Sequence, residues 1–472
     1  MSQETSNQYY LESAPLKKAI THLSIPMMIG MSVGTIYNVI NAYFIGLLHN
    51  THMLTAITLG LPIFTVLMAF GNVLGVGGGT FVTRLAGEKN PEKGRRIAGY
   101  SFYASIIAGI VIALLAFLAI NPITRLLGAD DATFDFAKTY ALTLFAGGFV
   151  IVLNFALEQL VRSEGASKES MYGVFISTAL SLIFDPLFIL VLNWHVAGAA
   201  LAMILANVGS VVYYIYFLET KSEHLKGFLK HFRISVQDKL EIYKIGISEL
   251  LQSAFLIVTT LLLNNYAIQY GDHVVAGFGV ALRIVQVPEF LSMGLFLGLI
   301  PLFAFTYAGR NIVRLKSSIK YAFACIGTIS IVFVSLVFIF RDTVLHWFSN
   351  DPSVISSGVT ILAAMLISAL FNGFTGLFMS IFQATGQGAP TAIMAITQGI
   401  LYIPVIIVLH YLFGLNGVIW SMTVTEVITS VMGVMLFVMF NRKLKKVSGN
   451  EADGNEAGAQ PKIHIGEDVN VI

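Results

Sequence analysis

Residues 71–75 read Gly-Asn-Val-Leu-Gly, and residues 294–298 read Gly-Leu-Phe-Leu-Gly, so the same pair of glycines returns after about 220 residues. At a similar interval, Gly165 is followed by Gly386. Small residues four positions apart let helices pack closely in a membrane, and landmarks that recur at a fixed interval indicate an internal duplication. The sequence therefore predicts two similar halves.

The composition indicates where these halves lie. The 472-residue chain is 56% hydrophobic and only 11% charged, whereas soluble proteins are about 25% charged. Its apolar stretches mostly exceed the roughly 20 residues that a helix needs to cross a bilayer, and they lack the alternation of outer-membrane barrels. We expect twelve transmembrane helices, at about residues 20–46, 53–82, 97–120, 137–161, 170–192, 196–218, 242–270, 274–307, 319–340, 354–382, 391–413 and 416–440.

Basic residues are distributed unevenly between the predicted loops. Nearly all of the 28 Lys and Arg residues fall on the side that holds the N-terminus, and the loops of the other side keep only Arg125, Lys138 and Arg341. Basic loops remain in the cytoplasm, so we expect both termini to be cytoplasmic. The net charge of +2 is spread along this membrane face, which gives no indication of nucleic-acid binding.

The loops also divide the chain into parts. We predict a first lobe of six helices at residues 1–218, a cytoplasmic connector at 219–240, a second six-helix lobe at 241–446 and a disordered tail at 447–472. Since both halves start on the same side, they are parallel repeats related by an axis along the membrane normal. The fold class is an all-α integral membrane protein, and two lobes around a central cavity are typical of secondary transporters.

Six ionisable residues lie inside the apolar stretches: Glu158, Asp185, Glu249, Arg283, Glu289 and Glu426. A charge at mid-membrane costs about 2.5–3.5 kcal/mol even on the most lenient scale. A carboxyl group placed there can take up a proton on one side of the membrane and release it on the other. These residues are therefore candidates for ion coupling or substrate binding, except Glu249, which is close to Lys244 and favours a solvated interface.

Asp185 is the strongest candidate. It lies about fifteen residues into the fifth predicted helix and directly precedes Pro186. Proline leaves a backbone carbonyl unbonded and kinks a helix, and a kink beside an acid suits an ion or substrate site. Glu158 has an alternative role, because Arg162 follows one turn later and an i,i+4 ion pair is the simpler explanation.

The remaining charges differ in their surroundings. Glu426 has no basic partner nearby in its helix, and Glu289 follows Pro288. Arg283 precedes Glu289 by six residues, which is roughly 240° around a helix, so we expect Arg283 to pair with an acid on another helix.

Uncharged polar residues accompany these acids. Asn38 and Asn41 share a face of the first helix, and Asn154 lies one turn before Glu158. Others in the tenth and eleventh predicted helices are Asn372, Gln383, Gln398 and Tyr402. Side chains of this kind more often form hydrogen bonds between helices than bind a ligand.

Catalytic and metal-binding functions find no support. The chain has no HExxH or CxxC motif, and no glycine-lysine pair of a nucleotide-binding loop. Its one cysteine, Cys325, cannot form an intramolecular disulfide. We therefore expect neither an enzyme nor a cofactor, apart from H+ or Na+ as a coupling ion.

Several stretches taken together carry a family resemblance. They include residues 24–30 (Ser-Ile-Pro-Met-Met-Ile-Gly), 157–159 (Leu-Glu-Gln), 185–187 (Asp-Pro-Leu), 283–289 (Arg-Ile-Val-Gln-Val-Pro-Glu) and 383–388 (Gln-Ala-Thr-Gly-Gln-Gly). Over roughly residues 9–446 the chain resembles the multidrug and toxic compound extrusion (MATE) transporters, and among them the MepA-type branch of multidrug exporters.

The resemblance implies two six-helix lobes around a V-shaped cavity in a bacterial plasma membrane. It implies export of lipophilic cationic drugs and dyes in exchange for inward H+ or Na+, with Glu158 and Asp185 as the functional pair. The first helix offers Asn38 and Asn41 where DinF-type relatives use an aspartate, and Glu249 does not match the acid of the NorM branch. We lean to protons, and we expect a monomer in the lipid bilayer.

Three alternatives remain. A lipid-linked oligosaccharide flippase of the same superfamily would need more basic residues along the cavity than Arg283 alone. A membrane-embedded transferase would need a catalytic cluster at one membrane face. A channel suits two six-helix halves less well than a carrier does.

Overall fold

The computed structural model describes residues 6–47, 50–348 and 351–454, without the side chains of residues 35–39, 41–43, 45 and 445–454. All regular structure in these ranges is helical. The first half contains α1 (Asn7–Glu12), α2 (Leu16–Gly46), α3 (Thr51–Leu59), α4 (Leu61–Gly87), α5 (Pro91–Leu118), α6 (Ile120–Leu126), α7 (Phe134–Ala146), α8 (Gly148–Ser163), α9 (Ser167–Pro186) and α10 (His195–Thr220). The second half contains α11 (Val236–Ala267), α12 (Asp272–Ala308), α13 (Ile312–Ile339), α14 (Arg341–His346), α15 (Pro352–Ala384), α16 (Gly388–Phe413) and α17 (Leu415–Gly454).

These helices provide the predicted membrane spans. Ten segments of the described chain are long and apolar enough to cross a bilayer, and α7 with α8 forms an eleventh span that bends by 52°. The bend falls at Gly147, where the two helices meet. The 31 residues of α2 are long enough for the twelfth. The all-α membrane fold with six spans in each lobe is confirmed.

The backbone repeats between the lobes. Gly165 and Gly386, which end the loops before α9 and α16, have φ angles of +75° and +73°, a conformation that glycine adopts without strain. Lys89 and Arg310 both have positive φ, and each is followed by an asparagine whose side chain accepts a hydrogen bond from the first turn of the next helix. The internal duplication that the glycine positions predicted is therefore also present in the backbone conformation of individual turns.

The lobes meet closely at one end of the molecule, which we call the connector end because residues 221–235 lie there between α10 and α11. A Cβ atom added to Gly246 of α11 would lie 2.0 Å from the Val73 carbonyl oxygen of α4, and one added to Gly298 of α12 would lie 2.4 Å from the Leu23 carbonyl oxygen of α2. These backbones are in direct contact, so glycine is required at both positions.

Polar contacts also close the connector end. Arg84 at the end of α4 forms an ion pair of 2.8 Å with Glu241 of α11. Lys93 of α5 forms another, of 2.7 Å, with Asp238. Toward the opposite end, α3 packs on α7, α10 and α4 of its own lobe, and α14 packs on α15 and α13 of its own. The lobes therefore meet mainly through α2, α4, α11 and α12, and these two short helices pack within their own lobes instead.

The structure describes the predicted connector and the beginning of the predicted tail. The predicted connector of residues 219–240 corresponds to the non-spanning stretch between Thr220 and Val236. Of the predicted tail, α17 continues to Gly454, and residues 455–472 lie outside the described part of the chain.

Candidate functional site

Two carboxyl groups of the second lobe share one cluster. Glu289 of α12 and Glu426 of α17 lie near enough for their charges to interact. Asn372 Nδ2 donates a hydrogen bond of 3.3 Å to Glu289 Oε1, and Gln398 Nε2 donates one of 2.6 Å to Glu426 Oε1. Both amides thus form interhelical hydrogen bonds, as the sequence predicted, and their acceptors are the membrane-embedded acids.

Helix α15 supplies the wall between the two acids. Asn372 and Thr375 lie one turn apart on α15, the first at Glu289 and the second beside the carboxyl group of Glu426. Thr375 is also 2.9 Å from the Ser430 hydroxyl group. The cluster therefore joins α12, α15, α16 and α17 around two acids.

The Glu289–Glu426 pair is surrounded by neutral side chains. All five ion pairs between described residues involve other acids. Two neighbouring carboxylates in a weakly polar setting repel one another unless a proton or a cation neutralises one of them. The arrangement is suited to uptake and release of a proton or a monovalent cation.

Glu249 has a different environment from the predicted one. The sequence favoured a solvated interface, but the side chain is half-buried and accepts a hydrogen bond of 2.6 Å from Gln383 Nε2 of α15. The prediction was wrong because Lys244, five residues earlier, is exposed and lies on another side of α11.

Arg283 also departs from its prediction. We expected an ion pair with an acid on another helix, yet Arg283 is exposed and has no such partner within 4.0 Å in the described part of the chain. It shares an exposed stripe of α12 with Gln286 and Val287, three and four residues later. Since a guanidinium group in contact with lipid would be costly, we expect this stripe to face away from the lipid, toward the space between the lobes.

Glu158 is held by a neighbour in its own helix. Arg162 Nη2 donates a hydrogen bond to Glu158 Oε1, and both side chains are buried. The i,i+4 pair considered from the sequence is therefore formed, and it lies in the interior. Asn154, one turn earlier, is buried with its Oδ1 atom unbonded among the described groups.

A small gap beside Arg162 lies on the boundary between the lobes. Its lining includes Gln159 and Thr83 of the first lobe and Ile300 and Pro301 of the second. Glu158 and Arg162 are thus close to the place where the lobes would separate. The side chains of Asn38 and Asn41, the candidates on α2, lie outside the described residues.

Asp185 is fully buried, at 0% exposure. It is the penultimate residue of α9, and the span continues after Pro186 as a π-helical turn, Leu187–Val191. The expected disturbance at Pro186 is therefore a change of helix type, which often marks a functional position. The Tyr140 hydroxyl group of α7 lies within electrostatic range of Asp185.

Glu158 and Asp185 are far apart. Ser170 of α9 contacts the Glu158 carboxyl group, and Asp185 lies fifteen residues further along that helix. At 1.5 Å per residue, this separates the two acids by about 22 Å. They can act at different depths of the membrane, but they do not form one binding site.

Two six-helix lobes that meet mainly through α2, α4, α11 and α12, with buried acids in both, are the architecture of a membrane transporter. The chain belongs to the MatE family, whose model matches residues 26–187 and again residues 245–408, once in each lobe.

Similar proteins agree with this assignment. The chain is 37% identical to the Multidrug export protein MepA of Staphylococcus haemolyticus over 436 residues, which are 92% of this chain and 96% of the relative. It is 36% identical to that of Staphylococcus aureus strain NCTC 8325 with the same coverage. A solved outward-facing structure of a multidrug resistance MATE family transporter superimposes with a TM-score of 0.86 at 27% identity, over 93% of this chain and 99% of that one.

Proposed function

We propose that this protein exports lipophilic cationic drugs in exchange for protons, by alternating access of the cleft between its lobes. The names of its relatives support drug export. The paired carboxyl groups of Glu289 and Glu426, surrounded by neutral amides, are the observation that carries the coupling proposal.

The proposed orientation places the connector end in the cytoplasm. The basic residues of the connector and of the neighbouring loops lie at this end, as the positive-inside rule requires. A cleft that is closed at the connector end is then open to the outside. The structure would correspond to the state that releases drug and takes up protons.

The roles of the acids differ in this proposal. Glu289 and Glu426 exchange protons with the outward-open cleft, and the buried Asp185 in the first lobe is the candidate for binding the drug cation. Glu158 is neutralised by Arg162 in this state, which makes it less suited to carry a proton. Asn154, beside it, contributes polarity to the same helix.

The substrate class follows from the charge and the chemistry of the cleft. A monovalent lipophilic cation is attracted by carboxylates and bound by aromatic and methionine side chains, which are abundant at 35 Phe and 16 Met. The protein is proposed to act as a monomer and to need no cofactor besides the coupling ion.

A flippase for lipid-linked oligosaccharides is the second candidate. The exposed Arg283 is the observation in its favour, because a basic group could hold a pyrophosphate. The membrane-embedded carboxyl groups outnumber this one arginine, and their negative charge favours a cationic substrate.

Reconstitution in liposomes tests these proposals. Ethidium movement is followed under an imposed pH gradient and then under a sodium gradient, for the wild type, Asp185→Asn and Glu426→Gln. The exposed Glu92, which pairs with Arg96 at the surface, provides the control Glu92→Gln. Proton-driven transport that is lost in Asp185→Asn, weakened or lost in Glu426→Gln and kept in the control supports the proposal. Sodium-driven transport would refute proton coupling, and no ethidium movement under either gradient would favour the flippase.

A further inference from the structure

The short helix α1 binds across the boundary between the lobes. It leads directly into α2 of the first lobe, yet its C-terminal end is held by Arg314 of α13 in the second lobe. The guanidinium group of Arg314 donates hydrogen bonds to three carbonyl oxygens, those of Tyr10 at 3.0 Å, Leu11 at 3.1 Å and Ala14 at 2.7 Å.

These contacts use the fixed geometry of arginine. The last carbonyl groups of a helix have no partner within the helix, and a cation at this end also interacts favourably with the helix dipole. The planar fork of a guanidinium group reaches two such oxygens, of Tyr10 and Leu11, together with the Ala14 carbonyl oxygen just after the helix, whereas the ammonium group of lysine is a point charge on a flexible chain. Arg314 is therefore a specific cap for this end of α1.

The apolar side of α1 fastens it further. Leu11 is 3% exposed and belongs to the hydrophobic cluster that contains Leu299 and Phe303 of the second lobe. A Cβ atom at Gly165, in the first lobe, would lie 3.2 Å from the Leu11 side chain. Leu11 is thus wedged between the two lobes.

The connector forms the equivalent contact in the other direction. It leads into α11 of the second lobe but packs on α5 of the first, where Tyr103 donates a hydrogen bond of 2.8 Å to the Leu229 carbonyl oxygen and Phe228 is fully buried. A Cβ atom at Gly99 of α5 would lie 1.7 Å from the His231 carbonyl oxygen. In each repeat, the segment before the first spanning helix crosses to the other lobe.

The connector and α1 are not held equally strongly on the lobes that they cross to. The connector is covalently part of both lobes, and Glu164 fixes it by accepting hydrogen bonds from the backbone N–H groups of His224 and Leu225. By contrast, α1 is held on the second lobe by non-covalent contacts alone, and its polar contacts to α13 converge on Arg314. It is the segment that can be released.

We propose that α1 is a latch that holds the lobes together at the connector end, and that Arg314 is the residue that keeps it shut. Opening of this end requires the α1 carbonyl groups to leave Arg314 and Leu11 to leave the second lobe. Loss of the Arg314 contacts therefore shifts the protein toward a state that is open at the connector end. This inference goes beyond the drug-export proposal, because it concerns the balance between two conformations and needs neither drug nor ion gradient.

Distance measurements between spin labels test the latch in the full-length chain. The labels are attached at Lys89→Cys in the first lobe and Ala389→Cys in the second, two exposed positions at the connector end, after the single cysteine is removed as Cys325→Ala. The variant Arg314→Gln removes the latch, and Lys320→Gln removes one positive charge from an exposed position of the same helix as a matched control.

The expected result is a several-fold larger population with a long inter-lobe distance in Arg314→Gln, a smaller increase in Arg314→Lys and no change in Lys320→Gln. Leu11→Ala should have a similar effect through the apolar contact, and it keeps the test possible if Arg314→Gln fails to fold. Since both residues act through α1, the double variant should open little further than the stronger single one. Unchanged distances in folded Arg314→Gln or Leu11→Ala, or an equal shift in Lys320→Gln, would overturn the proposal.

Discussion

Arg162 donates a hydrogen bond to Glu158 one turn earlier in α8, and both side chains are buried. This pair neutralises itself, whereas Glu289 and Glu426 lie near one another among amides and hydroxyl groups. The first arrangement holds its charges in place, and the second needs an external proton or cation. The two groups of acids therefore lie in different electrostatic surroundings.

The buried pair in α8 gives the first prediction. Arg162→Met leaves the Glu158 carboxylate buried without its partner, and such a loss typically costs about 3–5 kcal/mol of stability. The double variant Glu158→Gln, Arg162→Met leaves no uncompensated charge and should recover most of that loss. Thermal unfolding of the purified protein in detergent compares the variants, and a double variant that is less stable than Arg162→Met alone would contradict the prediction.

Glu164 predicts a pH dependence. It lies in the loop between α8 and α9, and burial raises its pKa from 4.5 to about 7, although Ser222 and two connector N–H groups donate hydrogen bonds to it. Between these two pH values the folded protein binds the proton and the unfolded chain does not, so stability falls as the pH rises from about 4.5 to about 7. The change approaches about 3 kcal/mol and is complete above that range.

The measurement is the unfolding temperature at several pH values between 5 and 8. Glu164→Gln should flatten this slope, because its amide does not titrate, while the exposed Glu92→Gln should keep it. Equal slopes in the wild type and Glu164→Gln would assign the pH dependence to other groups.

The fold was largely predictable because its signals are local. The lengths of the apolar stretches predicted the membrane-spanning helices. Gly165 and Gly386 marked turns that have the same backbone conformation in both lobes. The bend at Gly147 was not foreseen, since both of its helices fall within one continuous apolar stretch.

The sequence alone could single out members of the candidate site but not their grouping, and their roles stay a prediction. Burial of acids in an apolar stretch identified Asp185, Glu289 and Glu426, but their partners come from helices distant in sequence, as Gln398 does for Glu426. The resemblance suggested Glu158 and Asp185 as a pair, and only the helix geometry separates them. Arg314 gave no signal at all, because a basic loop residue is expected from membrane orientation and its acceptors are backbone carbonyl groups.

Close packing at the connector end gives a third prediction. A methyl group in Gly246→Ala would overlap the Val73 carbonyl oxygen of α4, and overpacking of this kind typically costs about 1–3 kcal/mol. Gly279→Ala is the matched control, because its Cβ atom would have no neighbour within 4 Å and alanine favours a helix by up to about 1 kcal/mol. Gly246→Ala should lower the unfolding temperature and Gly279→Ala should not. Similar unfolding temperatures for the two variants would show that the contact between α4 and α11 is looser than described.

The Glu289–Glu426 pair predicts the stoichiometry of exchange. If both carboxyl groups carry a proton inward for each monovalent drug cation exported, one net positive charge enters per cycle, and transport responds to membrane voltage. About 100 mV then adds about 2.3 kcal/mol, or about 50-fold in the drug gradient. Glu289→Gln leaves one proton for one cation, which moves no net charge. Ethidium transport in this variant should therefore follow the pH gradient and ignore a potassium-diffusion potential, while the wild type responds to both.

The control variant is Glu249→Gln, whose carboxyl group lies outside the pair and accepts a hydrogen bond from Gln383. It should keep the voltage response. A wild type that is insensitive to voltage, or a Glu289→Gln variant that keeps the full response, would exclude the pair as a two-proton site.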